Sequence, residues 1–392
     1  MIDPTLTPLE SPLEVATARR GLSIGLPKVD GEREHRFPMT PQAVAMLTER
    51  GYRVYLEAGA AESIHYTDNQ YAAAGARITS RAEAFRADMV MYLAPLTPAE
   101  VRSMRRGSML FTFLQIGDQP PETLRELLRQ RTIAIAIELI EDREGNTCFA
   151  DILAEIEGRA SVAIASSLLA DGVHGKGILL GGVAGVIPCE VTIIGSGIAA
   201  VAAARSASGL GAIVKMFDDD VYSLRRASRE LGPSMIGSSL HPRVFASALR
   251  TADVVIATDT ASRVLVSADD VSIMKRGVVA MDVSRRRGVF PSLPEVNLAD
   301  PRWLEDPRRR AGRVVYVNAG NSVPRTASMA LSDTFLTMLE KIISCDGVSN
   351  ALKLIPGLQK AVFTFLGKAV NPAIARRVGV RHVDISLFLT FS

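Results

Sequence analysis

Short apolar runs and amphipathic stretches of helical length take turns along this chain from Leu22 to about residue 140. "LSIGLP", "RVYLEAG", "DMVMYLA", "SMLFTFL" and "TIAIAIELI" are brief, rich in Val, Ile, Leu or Phe, and read as strands. Between them "TPQAVAMLTERG", "TDNQYAAAG", "TPAEVRSMRRG" and "PETLRELLRQR" read as helices. Several open on Thr or Asp caps or on proline in the first turn, and several close on glycine. Such alternation predicts a mostly parallel sheet covered on both faces. "DILAEIEGRASVAIASSLLADG" is a longer helix, able to carry the chain from one domain into another. "EVTIIGSGIAAVAAARSASGLGAIVKMFDDD" then opens a second α/β unit, to which "DVVIAT", "VVAMDV" and "VVYVNAG" add strands up to about residue 318. From Ala327 to Leu339, and on to about Gly379, the pattern predicts a helical tail long enough to cross back onto the first unit.

The bulk properties narrow the field without adding chemistry. A chain of 392 residues is too long for one compact core and implies two or three domains. With 47% hydrophobic and 22% charged residues, wholesale disorder is excluded. A net charge of +3 with scattered arginines gives no reason to expect nucleic acid or an anionic membrane as a partner. Residues 1–20 lack the basic-then-apolar order of a signal peptide and are expected to form a loosely ordered extension. "GILLGGVAGVIPC" is glycine-broken and too short to span a bilayer. Cys148, Cys189 and Cys345 have no CxxC spacing, which points to reduced thiols and a cytoplasmic location. No metal is expected, because the five histidines and three cysteines show no ligand spacing. No GxSxG or Cys–His arrangement suggests covalent catalysis.

The most specific chemical signal is "VTIIGSGIAA" followed by "IVKMFD". Gly195 and Gly197 follow an apolar strand directly, and Ala200 stands where a third small residue is needed. The first glycine permits a tight turn, the second lets backbone amides approach a pyrophosphate, and the third small residue lets the helix pack on the strand. Gly195, Gly197, Ile198 and Ala199 are therefore the expected cofactor-binding turn, with the helix amino terminus facing the phosphates. Asp218 ends the next strand, 21 residues after Gly197, where its carboxylate can accept from ribose hydroxyls and would repel a 2′-phosphate. NAD is thus expected over NADP, with Arg225 and Arg226 as the residues that argue the other way.

A second signal is "VVAMDVSRRRG", in which an apolar strand delivers an aspartate and then Arg285, Arg286 and Arg287. Carboxyl ends of parallel strands face the ligand crevice. If strand geometry persisted through the arginines they would alternate in direction, so that one or two point into the cleft.

With these residues in view, the chain resembles the alanine dehydrogenase family, which includes the substrate-side NAD domain of transhydrogenase. The likeness runs from Leu22 to about Gly379 and rests on "IGLPKVDGEREHRFPMTPQAV", "LEAGAAESIHYTDNQYAAAGA", "LFTFLQIG", "EIEGR", "GKGILLGGVAGV", "VTIIGSG" and "VNAGNSVPRTAS". It implies an α/β protein of two domains. One is a central Rossmann NAD-binding domain over residues 151–327. The other is a flavodoxin/Rossmann-like substrate domain built from both chain ends, 21–150 and 328–392, with a cleft between the two. It also implies a homo-oligomer, a dimer or hexamer. Arg36 matches the arginine that holds the substrate carboxylate, for which a planar guanidinium fork is suited. Asn318 matches an asparagine near the nicotinamide.

The family's proton-handling residues are not matched. A lysine gives way to Ala94 or its neighbour Tyr92, a histidine to Gln115, and an aspartate beside the nicotinamide to Arg286. C–N chemistry needs a group that titrates near neutrality, and neither glutamine nor arginine supplies one. Two readings follow. In the first, an NAD-dependent oxidoreductase acts on an amino acid or imine with an extra anionic group, held by Arg36, Gln115 and Arg286. Tyr92, His35 or Glu138 then supply the remaining proton chemistry. In the second, the chain binds NAD and an anion without turnover. A cyclodeaminase that borrows and returns a hydride uses the same parts.

Overall fold

A computed structural model describes residues 22–29, 34–114, 119–262, 264–311, 313–345 and 348–390. The expected extension over 1–20, and Gln115, lie outside the described residues. Two sheets carry the chain. The first has eight strands: β1 (Ser23–Leu26), β2 (Arg53–Glu57), β3 (Arg77–Thr79), β4 (Met89–Met91), β5 (Met109–Thr112), β6 (Ile133–Ala136), β14 (Val362–Phe365) and β15 (Lys368–Ala369), in the order β15-β14-β6-β5-β4-β1-β2-β3. The second has seven: β7 (Glu190–Ile194), β8 (Ile213–Asp218), β9 (Met235–Ser239), β10 (Val254–Ala257), β11 (Val279–Asp282), β12 (Glu295–Asn297) and β13 (Val315–Val317), in the order β12-β13-β11-β10-β7-β8-β9.

Every pairing in the second sheet is parallel. Its strand order reverses between β7 and β10, the switch point at which doubly wound sheets open a crevice. This is the Rossmann arrangement with β12 added at one edge. β1, β4, β5, β6, β10 and β11 are buried along their whole length, and β7 at every residue after Glu190, as parallel strands covered on both faces must be.

Two expectations about the elements change. The tail is not wholly helical: beyond the helix Pro324–Ser344 the chain returns as β14, antiparallel to β6, and β15, antiparallel to β14, which extend the first sheet. "TIAIAIELI" is not one strand either, since β6 stops at Ala136 and Ile137–Leu139 form a 3₁₀ turn that carries Glu138.

The helix Cys148–Ala170 connects the two sheets and packs along the helix Ile198–Gly209. Gly158 makes that approach possible, because a Cβ there would lie 2.1 Å from the carbonyl oxygen of Ala199. The connecting helix thereby reaches the start of the glycine-turn helix. The segment after β1 is fastened to the helix Pro324–Ser344, with Phe37 N donating to Ser328 Oγ at 2.7 Å and Thr40 N to Ser332 Oγ at 2.9 Å.

Candidate active site in the interdomain cleft

At the end of β7, Gly195 takes φ +103°, and a Cβ there would stand 2.1 Å from Thr258 Oγ1 and 2.7 Å from the Asp259 carbonyl oxygen. Only glycine fits that turn. At Gly197 an added Cβ would meet nothing within 4 Å, so the space over the turn is open. Gly197 caps the helix Ile198–Gly209 without a side-chain hydrogen bond, so no side chain occupies its leading amides. Ile198 is exposed beside this space, whereas Ala199 is buried against the connecting helix.

Asp218, at the end of β8, is buried and accepts from Ser196 Oγ at 2.5 Å and from Asp220 N at 3.0 Å. Burial pushes its carboxyl above the ordinary range despite the Ser196 hydrogen bond. Open space, free amides and a strand-end acid fit a dinucleotide laid across the switch point.

The arginine run sits on a loop that its own aspartate holds. Asp282 is buried and accepts from Ser284 N at 3.1 Å, Ser284 Oγ at 2.6 Å and Val289 N at 3.0 Å, tying both ends of the loop together. The strand ends there, so Arg285–Arg287 do not alternate as strand residues would. Arg285 turns to Asp259, with Nε donating at 2.6 Å. Arg287, in the left-handed region at φ +47°, donates to Asn318 Oδ1. Arg286 is exposed and has no hydrogen bond or ion pair among the described residues. All three line a cavity of about 360 Å³ with Thr258, Asp259, Thr260, Ser262 and Ser284. Asn318 also takes a left-handed conformation, at φ +64°, and its amide donates to Asn297 Oδ1 at 2.6 Å.

Across the cleft, Arg36 is gripped by Glu34: Nε donates to Oε1 at 2.7 Å and Nη2 to Oε2 at 2.5 Å. Its guanidinium lies over the Phe113 ring, 4.9 Å from the centroid. Burial works to lower the Arg36 pKa, but Glu34 holds it above the ordinary value. His35 fastens this segment to the Rossmann domain, its backbone N donating to Asn321 Oδ1 at 3.1 Å and Nε2 lying 2.6 Å from the Ala299 carbonyl. A carbonyl oxygen only accepts, so Nε2 carries the proton. Glu138 accepts from Leu114 N at 2.7 Å, beside the end of β5.

The structure also brings in a residue that the sequence reading left out. Glu157, on the connecting helix, accepts from Gly320 N at 2.8 Å and lies close enough to Arg36 and Arg287 for both to act on its charge. Burial nonetheless raises its pKa above the ordinary range. Its spacing from Glu155 was the available clue. Residues two apart on a helix point about 200° apart, and Glu155 pairs outward with Arg159 at 2.6 Å.

Arg36, Glu157, Arg287 and Asn318 are thus assembled at one place. Tyr92 is not among them. Its ring is in the core against Phe85, and its hydroxyl lies 3.4 Å from both Arg81 Nη2 and Glu100 Oε1.

Two family models match, the alanine dehydrogenase/PNT N-terminal domain over residues 25–156 and the C-terminal domain over residues 161–372. The chain belongs to this family. It is 32% identical over 380 residues to an alanine dehydrogenase of Mycolicibacterium smegmatis, covering 93% of this chain and 99% of that one. It is 31% identical to an alanine dehydrogenase of Bacillus subtilis, covering 92% and 96%. A solved L-alanine dehydrogenase superposes with TM-score 0.80 at 29% identity, covering 91% of this chain and 99% of that one. A transhydrogenase from Sinorhizobium meliloti shares the fold at TM-score 0.71 and 21% identity, covering 90% and 99%.

Proposed function

We propose that the protein is an NAD-dependent oxidoreductase acting on the C–N bond of an amino acid or imine that carries an extra anionic group, rather than on L-alanine. The observation that carries this reading is that two guanidiniums, Arg36 and Arg287, lie near enough for both to act on the charge of Glu157, with Arg285 and Arg286 on the adjoining loop. Asp259 and Glu34 offset part of that charge. The cleft retains enough positive charge for a substrate with two anionic groups.

Glu34 occupies Nε and one Nη2 hydrogen of Arg36, which leaves the Nη1 end of the fork for a substrate carboxylate. Phe113 supports the guanidinium plane from below. Gly195, Gly197, Ile198 and Ala199 would hold the dinucleotide pyrophosphate, Asp218 the adenosine ribose, and Asn318 would stand at the nicotinamide end. NAD, when bound, supplies or accepts the hydride. Arg287 and Arg286 would hold the second anionic group. His35 fixes the relative position of the two domains rather than exchanging protons, because its Nε2 hydrogen is committed to Ala299.

A homo-oligomer belongs to the same proposal. Val173, Leu179, Val183, Val186 and Ile187 expose apolar side chains on the loop before β7, which supports it.

Fluorescence titration with NADH and NADPH, and NADH oxidation in the presence of ammonium, test the reading. Tighter binding of NADH, and faster oxidation with a dicarboxylic 2-oxo acid or a cyclic imino acid than with pyruvate, are expected. Equal or tighter NADPH binding contradicts the Asp218 assignment, and a preference for pyruvate contradicts the substrate class.

A further inference from the structure

We propose that Glu157 is the proton-exchanging group of the interdomain cleft, the role for which neither Gln115 nor Arg286 has the chemistry; the inference rests on the dehydrogenase reading above. Three positions support it. Glu157 lies one residue before Gly158, whose close approach to Ala199 sets this turn of the connecting helix beside the glycine-turn helix. Its Oε2 accepts from Gly320 N, two residues beyond Asn318, so one carboxylate oxygen is fixed at the nicotinamide end of the cleft. Its carboxyl also lies within electrostatic reach of both Arg36, beside the Phe113 ring, and Arg287, on the loop after β11.

The charged groups that face Glu157 are Arg36 and Glu34 from the N-terminal segment and Arg287 from the loop after β11. The glycine-turn helix brings the backbone of Ala199 and Ala203 against the neighbouring Gly158, and the turn after β13 brings Gly320 to Glu157. Desolvation raises the carboxyl's pKa while the two arginines and the Gly320 amide act against it. Burial thus favours the protonated form of this carboxyl, and the nearby guanidiniums favour the charged one.

With an imine substrate, the hydride of NADH forms the new C–H bond at the imine carbon. The C=N π pair moves onto nitrogen, and Glu157 gives its proton to that nitrogen. The products are the amine, NAD⁺ and the Glu157 carboxylate, which is reprotonated from water. In the reverse direction the Glu157 carboxylate takes a proton from the nitrogen of the neutral amine as the C–H pair departs as hydride to NAD⁺, leaving the imine, NADH and neutral Glu157. Arg36 holds the carboxylate of the reacting carbon, and the arginine loop holds the second anion.

One arm of the test needs no turnover. Infrared difference titration of the protein alone, wild type against Glu157→Gln, is expected to show a carboxyl that stays protonated above the ordinary glutamate range and is missing from the variant. Identical spectra overturn the assignment.

The second arm is kinetic. The Gln amide oxygen still accepts from Gly320 N, so Glu157→Gln preserves the local structure. It is nevertheless expected to lose about 100-fold or more in kcat, together with the limb of the kcat/KM pH profile that this carboxyl governs, while NADH affinity stays within about twofold. Glu157→Asp keeps a titrating group and is expected to shift that limb instead of abolishing it. Wild-type kcat and pH profile in Glu157→Gln overturn the assignment and leave the dehydrogenase reading standing. A wild-type protein that binds NADH yet transfers hydride to no C–N substrate overturns that reading instead, and the infrared arm then decides Glu157 separately.

Discussion

Substituting Gly158 by alanine probes how the connecting helix sets the cleft. An added Cβ would sit 2.1 Å from the Ala199 carbonyl oxygen, 2.9 Å from its carbon and 3.0 Å from Ala203 N, all backbone atoms that cannot rotate away. Ordinary contact begins at 3.4 Å, so the two helices must separate by the difference between 3.4 and 2.1 Å, or 1.3 Å. Overpacking of this kind costs about 1–3 kcal/mol. At about 2–4 °C per kcal/mol for a domain of 150–250 residues, Tm should fall by roughly 2–12 °C. The same displacement moves Glu157 away from Gly320 and tilts the helix that begins at Gly197, so NADH binding should weaken alongside Tm. Thermal unfolding and a fluorescence titration on the same preparation measure both. Unchanged Tm and unchanged NADH affinity would refute the claim that this helix contact is tight and positions the turn.

Other outcomes follow from the same geometry. Asp218→Asn should weaken NADH binding by about tenfold, the loss of one charge-assisted hydrogen bond, and narrow the gap to NADPH in the same titration. Arg286→Ala should lower affinity for a dicarboxylate such as 2-oxoglutarate by about three- to tenfold, modest because the side chain is exposed, with NADH binding unchanged by calorimetry.

Asp253 is buried between Lys176 and Lys275, each 3.0 Å from Oδ1. Burial works against its charge, yet the two ammonium groups hold its pKa below the ordinary value. A depressed folded-state pKa contributes stability above the ordinary aspartate range that is lost as pH falls through the folded value. Asp253→Asn should therefore cost about 1.5–3 kcal/mol at neutral pH, and the difference should shrink in acid denaturation curves. Glu157 has the opposite sign. Its folded-state pKa is raised, so its contribution is present below the unfolded glutamate value and falls away as pH rises toward the folded one. Glu157→Gln should flatten that decline in urea unfolding measured across the window.

The buried parallel strands were legible because four-residue apolar runs bounded by turn residues have few other uses. The strands that escaped notice are different in kind. β3, β9 and β12, with sequences "RIT", "MIGSS" and "EVN", are short and partly exposed, and all three form sheet edges. Edge strands need no apolar face on both sides, so the hydrophobic pattern hardly marks them. β14 was hidden because "VFTF" follows directly on the helix Pro356–Ala361 and was absorbed into its pattern.

The glycine turn and Asp218 were legible because each performs a local backbone task. The cleft was less so. Glu34 and Arg36 are neighbours in sequence, but Glu157, Arg287 and Gly320 meet them only through tertiary packing. The arginine run revealed its charge in the sequence, not that the strand would end at Asp282, with Arg285 turned to Asp259, Arg287 to Asn318 and Arg286 left exposed.

The most direct test of the central claim is isotopic. NADH carrying deuterium at the transferable position would be incubated with the protein, ammonium and a dicarboxylic 2-oxo acid, and the products analysed by mass spectrometry. The account predicts one deuterium on the carbon that bears the new amine, formed faster than the corresponding product from pyruvate. Unlabelled products, or label appearing only in alanine when both acids compete, would contradict it.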